Sequence, residues 1–366
     1  MFKKNYILQL NKKSRRVKRG RTITVLDFCS GGGMTALAIK RAAKRLGVRV
    51  KIIAYAEIDK FACQAYEELH GSNVPNMGDI TVASYEGMEA DIIIMTFPCT
   101  DISLAGKQDG LTEGSNTASS IVWEIVRMLE EMSEKPKMIF FENVSALLSA
   151  KFRPEFEKLK NFLEEQGYRV DYEKLDAQDY NVPQHRERVY IVASLAEQEV
   201  PFEFPEKEPL EIELKDILEN EPDERYFLKD VEHKINITNN RGYSFRVHNP
   251  GNAHTAFTLT TRAGYQSNSN YIFGRDVSED CCIRFTPKNS VDLDRYKKEP
   301  VRMLTRLEMG RIMGMTDEEI HKLDFLSLTQ FAKIMGNGIV IPVVEKIFYN
   351  YLAAWLKINC ISDKAA

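Results

Sequence analysis

A single cysteine marks the point in the sequence where covalent chemistry is easiest to imagine. The stretch IIIMTFPCTDIS, residues 92–103, starts as a buried strand and ends in a Pro-Cys turn among polar residues. Pro98 stiffens the backbone immediately before Cys99. A cysteine is intrinsically a strong nucleophile, although little of it is thiolate at neutral pH. Position alone is equally consistent with a nucleophile and with an inert turn residue.

Charged side chains from two distant segments converge on the same predicted region. The segment FFENV places Glu142 just past one strand, and VPQHRERVYIV places Arg186 and Arg188 just before another. Single charges at strand ends are usually solvated or paired. A carboxylate and two guanidiniums beside one thiol are a far less common combination. We therefore predict that Cys99, Glu142, Arg186 and Arg188 act together.

A glycine-rich turn follows the first predicted strand, in VLDFCSGGGMTALAI. Gly31, Gly33 and Ala36 fit G-x-G-x-x-G/A, and Glu57 ends the second strand, where a carboxylate can bind ribose hydroxyls. A turn without Cβ atoms lets a ligand approach the backbone and a helix N-terminus. The pattern predicts a nucleoside but leaves NAD and S-adenosylmethionine open. Asp79, at the same edge, suits an adenine amino group and is poorly placed for a phosphate.

The elements that must position these residues alternate along the first half of the chain. Strands are predicted at 21–29, 48–59, 90–97, 137–144, 168–177 and 188–194, and helices at 34–47, 60–71, 119–133 and 153–167. Parallel strands need helical crossovers, so this order predicts an α/β fold with a doubly wound, mostly parallel sheet. Its carboxyl edge would carry both the glycine turn and Cys99.

The second half of the chain has a different texture. Residues 197–224 are acidic and contain prolines, 225–300 are rich in Asn, Ser, Thr, Gly, Tyr and Arg, and helical patterning returns at 305–315 and 339–357. We predict a basic N-terminal arm (1–20), a catalytic and cofactor-binding domain (21–198), a smaller loop-rich recognition domain (199–325) and a C-terminal segment returning to the sheet (326–358).

Composition excludes several classes of protein. The formal net charge is −3, so the whole chain lacks a nucleic-acid signature, although residues 1–21 hold nine Lys or Arg residues and no acid. No apolar run approaches the roughly 18 residues of a membrane span, and the basic start lacks the apolar core of a signal peptide. The six cysteines form no CxxC pair, which disfavours a zinc site. Scattered single cysteines suit a reducing cytoplasm.

Taken in order, several segments resemble the signature motifs of DNA (cytosine-5) methyltransferases. They are DFCSGGG, FPCTDIS, ENV, QHRERVYIVA, RMLTRLEMGRIMGM and GNGIVIP, and they cover residues 22 to about 350. The resemblance implies a Rossmann-like fold that uses S-adenosylmethionine to methylate C5 of a cytosine flipped out of double-stranded DNA. It also implies a sequence-specific, monomeric, cytoplasmic enzyme of bacterial or phage type, and leaves a restriction partner open.

The resemblance also implies roles for the four converging residues. Cys99 would add to C6 of cytosine, and Glu142 would hydrogen-bond N3 and the exocyclic amine and supply a proton. Arg188 would hold the base O2, and Arg186 would help to position the catalytic loop. That loop is predicted at 103–120, a Gly- and Ser-rich stretch that closes over the flipped base.

Further residues are implied for the two ligands. The cofactor residues would be Cys29, Ser30, Gly31, Gly33, Glu57, Ile58, Asp79, Ile80, Pro98, Ile121, Asn337 and Val340. The DNA-recognition residues would be Arg241, Arg246, Thr258, Arg262, Tyr265, Gln266 and Asn268, since Arg reads guanine and Asn or Gln reads adenine.

The chain departs from the family pattern at positions that carry no catalytic group. Cys29 stands where a Phe is usual, Met34 replaces a glycine, and Thr100 replaces a Gln. Ala118 appears in place of an Arg, and Gly338 in place of a Ser. The changes at 29, 34 and 338 bear on the cofactor, and those at 100 and 118 on the loop after the nucleophile.

Three other functions compete with DNA methylation. A tRNA cytosine-5 methyltransferase would share the chemistry, but the large variable region favours DNA. An NAD-linked dehydrogenase would need a hydride site, which Cys99, Glu142 and Arg188 do not resemble. A catalytically silent DNA-binding relative is disfavoured because Cys99 and Glu142 are both present.

Overall fold

The structure is a computed structural model that describes residues 22–103, 109–115, 117–240, 245–263, 270–286, 296 and 298–365. For 239–240 and 359–365 the description covers the backbone only. The predictions for the basic arm, for Arg241, Tyr265, Gln266 and Asn268, and for part of the loop at 103–120 lie outside the described residues.

A six-stranded sheet forms the centre of the larger domain, in the order β2-β1-β3-β4-β7-β5. Its strands are β1 (Thr22–Phe28), β2 (Arg49–Ala56), β3 (Ile92–Met95), β4 (Met138–Val144), β5 (Tyr168–Asp176) and β7 (Glu187–Leu195), with the short β6 (Gln184–His185) lying outside it. Strands β1 to β4 are parallel, and β7 is antiparallel to both neighbours. The predicted mostly parallel sheet is confirmed. Runs such as IIIM are buried throughout, as expected for strands covered on both faces.

Helices cover both faces of this sheet. They are α1 (Met34–Leu46), α2 (Lys60–His70), α3 (Glu124–Glu131) and α4 (Arg153–Glu165). One apolar cluster includes α1 residues and the other includes α3 and α4 residues, so the sheet is doubly wound. The predicted helix at 119–133 begins as a 3-10 turn at 118–123, because the hydroxyls of Thr117 and Ser120 bond to each other's backbone groups.

A smaller domain has its own sheet and core. It contains α6 (Val231–Asn240), β8 (Phe245–His248), β10 (Tyr271–Phe273), β11 (Cys282–Phe285) and β12 (Val301–Arg302), and follows the short helix α5 (Leu214–Ile217). The four strands form one sheet, while β9 (Ala256–Phe257) pairs in parallel with β6 of the larger domain. Its buried apolar cluster runs from Val231 to Val301.

The cores suggest closer bounds for the smaller domain than 199–325. Val200, Phe202 and Leu214 belong to the larger core, as do Leu304 and Met309. Ala253, Ala256 and Leu259 also belong to it, where the smaller domain meets β6. We therefore propose that the smaller domain spans about residues 225–303, flanked on both sides by segments of the larger domain.

The C-terminal segment from residue 306 onward returns to the sheet. It contains α7 (Arg306–Ile312), α8 (Asp317–His321), α9 (Leu328–Asn337) and α10 (Ile341–Ala365). Helix α10 packs along α1, and Phe348 contacts Phe140 of β4. Residues 328–358 are long and apolar enough to cross a membrane, but 67% of their most apolar window is buried, as in a core helix. The C-terminal segment therefore completes the core and brings α9 towards the carboxyl edge of the sheet.

Candidate active site

The reversed direction of β7 explains how distant charges meet the thiol. The parallel strands end at one edge of the sheet, and an antiparallel strand begins there. Val144, the last residue of β4, lies opposite Arg188, and Glu142 lies opposite Tyr190. Cys99 follows β3, the other neighbour of β4. The antiparallel pairing of β4 with β7 therefore brings Glu142 and Arg188 close together.

The backbone around Cys99 is held from two sides. Asn143 donates from Nδ2 to the carbonyl oxygen of Phe97 at 3.1 Å, and Ser119 donates from Oγ to the carbonyl oxygen of Pro98 at 2.7 Å. The backbone N–H of Ser103 also donates to the carbonyl oxygen of Cys99 at 2.8 Å. The Pro-Cys turn is thus tied to the end of β4 and to the far side of the following loop.

The same loop is closed at its base by a reciprocal pair. The backbone N–H of Ser119 donates to Asp101 Oδ2 at 3.0 Å, and that of Asp101 donates to Ser119 Oγ at 3.2 Å. Thr100, which replaces the family's Gln, is exposed and donates from its hydroxyl to Asp101 Oδ2 at 3.4 Å. The described parts of the loop are therefore anchored, and the predicted closing motion stays a prediction.

Glu142 is almost fully buried and ion-paired. Its Oε1 lies 3.2 Å from Nε of Arg188. Burial raises the pKa of Glu142, and the positive charges of Arg188 and then Arg186 oppose this. A carboxyl group in this setting binds a proton more readily than an exposed glutamate does. It is suited to pass that proton to a ring nitrogen on which negative charge develops.

The thiol of Cys99 lies in the same electrostatic environment. Burial raises its pKa, the charge of Glu142 raises it further, and the charges of Arg188 and Arg186 lower it. The thiol therefore gives up its proton less readily than an exposed cysteine does. Its reactivity depends on the balance between one carboxylate and two guanidiniums.

Arg186 makes hydrogen bonds to distant main-chain carbonyls that the sequence did not predict. Its Nη1 donates to the carbonyl oxygen of Leu259 at 2.9 Å, and its Nη2 donates to those of Gly336 and Gly338 at 3.0 and 2.7 Å. The described contacts thus run to the recognition segment and the C-terminal segment, rather than to the loop after Cys99. Its Nε is buried without a partner, and Arg186 lines the cavity.

One cavity of about 310 Å³ joins this centre to the glycine turn. The predicted residues that line it are Cys29, Ser30, Gly31, Glu57, Ile58, Asp79, Ile80, Pro98, Cys99, Ile121, Glu142, Arg186, Arg188 and Asn337. Gly33 and Val340, also predicted as cofactor residues, do not line it. A Cβ at Gly33 would lie 2.5 Å from His70 Nε2, and Val340 is buried in the core. Position 33 is thus tightly packed and Val340 is buried, and their roles in cofactor binding stay predictions.

The far end of the cavity is acidic. Glu57 Oε2 accepts from the backbone N–H of Gly31 at 2.9 Å, and Oε1 accepts from those of Ile58 and Asp59 at 2.8 Å each. Gly31 has φ +52 and open space around a built Cβ, and Ser30 Oγ is buried without a partner. Fixed carboxylates suit hydroxyl, amine and cationic groups better than phosphates. These carboxylates, as hydrogen-bond acceptors, fit the ribose hydroxyls and the positive charges of S-adenosylmethionine.

Sequence reasoning missed one wall of the cavity. Gln330, Lys333, Ile334 and Asn337 of α9 line it together, but only Asn337 was predicted. Their spacing is i, i+3, i+4 and i+7, which places them on one helix face. Lys333 Nζ lies 2.6 Å from Asp59 Oδ2. The periodicity was a signal that could have extended the prediction from Asn337 to the other three.

The described recognition residues lie near β6 and β9. The guanidinium of Arg246 lies 4.7 Å from the ring centroid of Phe257, and Arg246 is paired with Arg284 across β8 and β11. Thr258, predicted to contact DNA, donates from its hydroxyl to the carbonyl oxygen of His185 at 2.7 Å. Its hydroxyl therefore docks the two domains together. Arg262 stays a prediction.

A sequence model of the C-5 cytosine-specific DNA methylase family matches residues 23–353. The chain belongs to this family. This DNA cytosine-5 methyltransferase takes its methyl group from S-adenosylmethionine, the donor used by the family. Family membership excludes the dehydrogenase that the glycine turn alone left open.

Relatives and solved structures agree with that assignment. The methyltransferase is 31% identical over 294 residues to the Type II methyltransferase M2.ScrFI of Lactococcus lactis subsp. cremoris, covering 79% of this chain and 75% of that protein. It is 28% identical over 349 residues to the Type II methyltransferase M.NlaX of Neisseria lactamica, covering 93% and 98%. The structure of the Entamoeba histolytica methyltransferase EhMeth superposes with a TM-score of 0.72 at 18% identity, covering 93% and 99%, and this supports the fold.

Proposed function

We propose that Cys99 is the nucleophile with which this methyltransferase attacks a cytosine flipped out of double-stranded DNA. One observation carries the proposal. The thiol, the buried carboxyl of Glu142, the guanidinium of Arg188 and the nucleoside-type glycine turn line a single cavity. A base bound over Cys99 would thus lie beside the cofactor end of the same space.

The reaction is divided between the thiol and the buried carboxyl. Once the Cys99 thiol has lost its proton to solvent, its sulfur forms a bond to C6, and the electron pair of the C5–C6 double bond moves into the ring. Glu142 donates a proton to N3, where negative charge builds, so that the addition is stabilised. S-adenosylmethionine, when bound, would supply an electrophilic methyl group for C5. A base then removes the C5 proton, the thiolate of Cys99 leaves C6 to restore the double bond, and N3 returns its proton to Glu142.

The two arginines have different roles. Arg188 keeps Glu142 oriented through its Nε, and its remaining donors can hold the base O2. Arg186 is a positioning residue, because three of its hydrogen bonds are spent on main-chain carbonyls of the recognition and C-terminal segments. Its Nε is buried and has no hydrogen-bond partner among the described residues.

The cofactor would occupy the acidic end of the cavity. Glu57 is held by backbone donors in an orientation that presents its carboxylate to the ribose hydroxyls. Asp79, at the rim, accepts hydrogen bonds from Thr81 and suits the adenine amino group. Ser30, with its unpartnered hydroxyl, is a further donor for the amino-acid end.

The smaller domain would read the DNA sequence. Arg246 and Arg284 lie directly opposite each other on neighbouring strands of this domain. Arginine side chains commonly bind DNA phosphates and guanine edges. We propose that the enzyme acts as a monomer in the cytoplasm of a bacterium or phage-infected cell. The named relatives include type II methyltransferases, so a restriction-modification setting is also part of the proposal.

A suicide substrate tests the nucleophile directly. A DNA duplex with 5-fluorocytosine in the recognised site should form a stable covalent complex with the wild-type protein and S-adenosylmethionine. The base that removes a proton from C5 of cytosine cannot remove fluorine, so the adduct cannot break down. Cys99→Ser should form none, yet bind S-adenosylhomocysteine as before. Cys281→Ser, which changes an exposed cysteine outside the cavity, is the matched control and should be trapped like wild type.

The DNA sequence that the protein recognises can be determined by expressing it in a host without DNA methylation. Bisulfite sequencing of the host DNA should show 5-methylcytosine in one short sequence context. Absence of 5-methylcytosine in DNA together with a trapped adduct in tRNA would overturn the DNA assignment. Retained trapping by Cys99→Ser would overturn the assignment of the nucleophile.

A further inference from the structure

Gly338 is not required by its own backbone. It has φ −74 and ψ 167, a conformation that any residue adopts. A Cβ built on it would instead lie 2.5 Å from Sδ and 2.7 Å from Cε of Met34. Glycine at 338 therefore leaves room for the end of the Met34 side chain, and the carbonyl oxygen of Ile334 lies 3.0 Å from the same point.

Gly338 has little freedom to retreat from a collision. Its N–H donates to the carbonyl oxygen of Ile334 at 2.9 Å, and its carbonyl oxygen accepts from Nη2 of Arg186 at 2.7 Å. Arg186 is itself bound to Leu259. The neighbouring Gly336 is packed against main-chain atoms of residues 260 and 261. Position 338 is thus fixed from several sides.

The side chain of Met34 is the part that can move. Met34 is the first residue of α1, is 3% exposed and belongs to the larger apolar core. It also lines the cavity at the acidic end, beside Ser30 and Gly31. Protein cores are close-packed, so we expect a displaced Met34 thioether to enter the cavity that Met34 already lines.

We propose that Met34 and Gly338 form a size-matched pair that sets the shape of the cofactor cavity. The missing side chain at 338 reserves room for the Met34 thioether, and this keeps the thioether out of the space that the cofactor would fill. This inference rests on the proposed placement of the cofactor. It also joins two separate departures from the family pattern, since a large residue at 34 and the smallest residue at 338 compensate each other.

Calorimetric binding of S-adenosylhomocysteine, without DNA, tests the pair apart from turnover. Gly338→Ser should weaken binding about tenfold or more, because the displaced Met34 thioether would take up space that the cofactor fills. The melting temperature of the ligand-free protein should change little, since the flexible thioether yields. The double variant Met34→Ala with Gly338→Ser should bind more tightly than Gly338→Ser alone.

The comparison is a double-mutant cycle, which isolates coupling between touching residues. Met34→Ala alone gives the cost of losing the cavity wall, and Met309→Ala, a buried methionine outside the cavity, is its matched control. Equal binding by Gly338→Ser and wild type, or strictly additive effects in the double variant, would overturn the inference.

Two further variants keep the test decisive. If Gly338→Ser fails to fold, Gly338→Ala and the double variant take its place, and the double variant should fold because both contacts with Met34 are gone and only the 3.0 Å contact with the carbonyl oxygen of Ile334 remains. Failure of the double variant to fold would count against the pair. Glu57→Ala tests the placement of the cofactor separately. Unchanged binding of S-adenosylhomocysteine by that variant would contradict the proposed placement beside Glu57, and with it the proposed role of Met34 and Gly338.

Discussion

Arg186 is expected to hold the two domains and the C-terminal segment together, and Arg186→Met tests this. The substitution keeps much of the volume but removes three hydrogen bonds from a charged donor to main-chain carbonyls. Such bonds contribute about 1.5–3 kcal/mol each. Removing the buried charge also relieves a desolvation cost of several kcal/mol. We expect a net loss of about 2–4 kcal/mol in the free energy of unfolding.

The expected change in melting temperature follows from the size of the chain. An unfolding entropy of about 2.1 cal/mol/K per residue gives about 0.8 kcal/mol/K for 366 residues. The loss of 2–4 kcal/mol therefore corresponds to about 3–5 °C in thermal melts followed by circular dichroism. Arg186→Lys should be no milder, because one ammonium keeps the desolvation cost and cannot span three carbonyls in a fork.

The matched control is Arg169→Met on β5. Arg169 pairs with Asp171 at the surface, where an ion pair contributes at most about 1 kcal/mol. Amide exchange gives a second readout, because the N–H of Leu259 bonds to the buried side chain of Gln184 beside Arg186. It should exchange faster in Arg186→Met and remain protected in Arg169→Met. Equal melting temperatures and equal exchange in the two variants would refute the reasoning.

Three further predictions concern the thiol and its supports. At a fixed pH, Glu142→Gln should speed alkylation of Cys99, because it removes the charge that raises the thiol pKa. Arg188→Met should slow alkylation, because it removes a charge that lowers that pKa. Mass spectrometry of the Cys99 peptide measures both rates, and the reverse order would contradict the electrostatics. Gly336→Ala should lower stability by about 1–3 kcal/mol in urea unfolding, because its methyl would meet main-chain atoms that cannot rotate away; wild-type stability would disprove this contact. Asn143→Ala should leave the carbonyl of Phe97 unsatisfied, cost about 1–3 kcal/mol and slow adduct formation with 5-fluorocytosine DNA; unchanged adduct kinetics would show that the turn holds Cys99 without it.

The larger domain was largely predictable because its signals are local. The run IIIM has no polar residue and reads as a covered strand, and Gly47 ends α1 in the left-handed conformation that favours glycine. The predicted start of the helix after Cys99 was less accurate. Hydroxyls at 117 and 120 compete for backbone groups there, an effect that apolar periodicity does not register.

Contacts between distant segments were beyond local reasoning. The pattern Gln-x-Arg-x-Arg indicated that Arg186 matters, but not that it binds carbonyls at 259, 336 and 338. Likewise the family resemblance implied that Thr258 contacts DNA, but not that its hydroxyl bonds to the carbonyl oxygen of His185. Hydrogen bonds between residues more than 70 positions apart leave no periodic trace in the chain.

The amino-acid sequence by itself determined the fold class and the family, and it pointed to Cys99 as the candidate nucleophile, because each depends on short motifs and on the alternation of strands and helices. The tertiary structure alone decided which of the implied residues share a cavity. It also placed the end of the Met34 side chain where a Cβ at position 338 would lie. The physical reason is that excluded volume acts between side chains 304 residues apart, and only the folded chain brings them into contact.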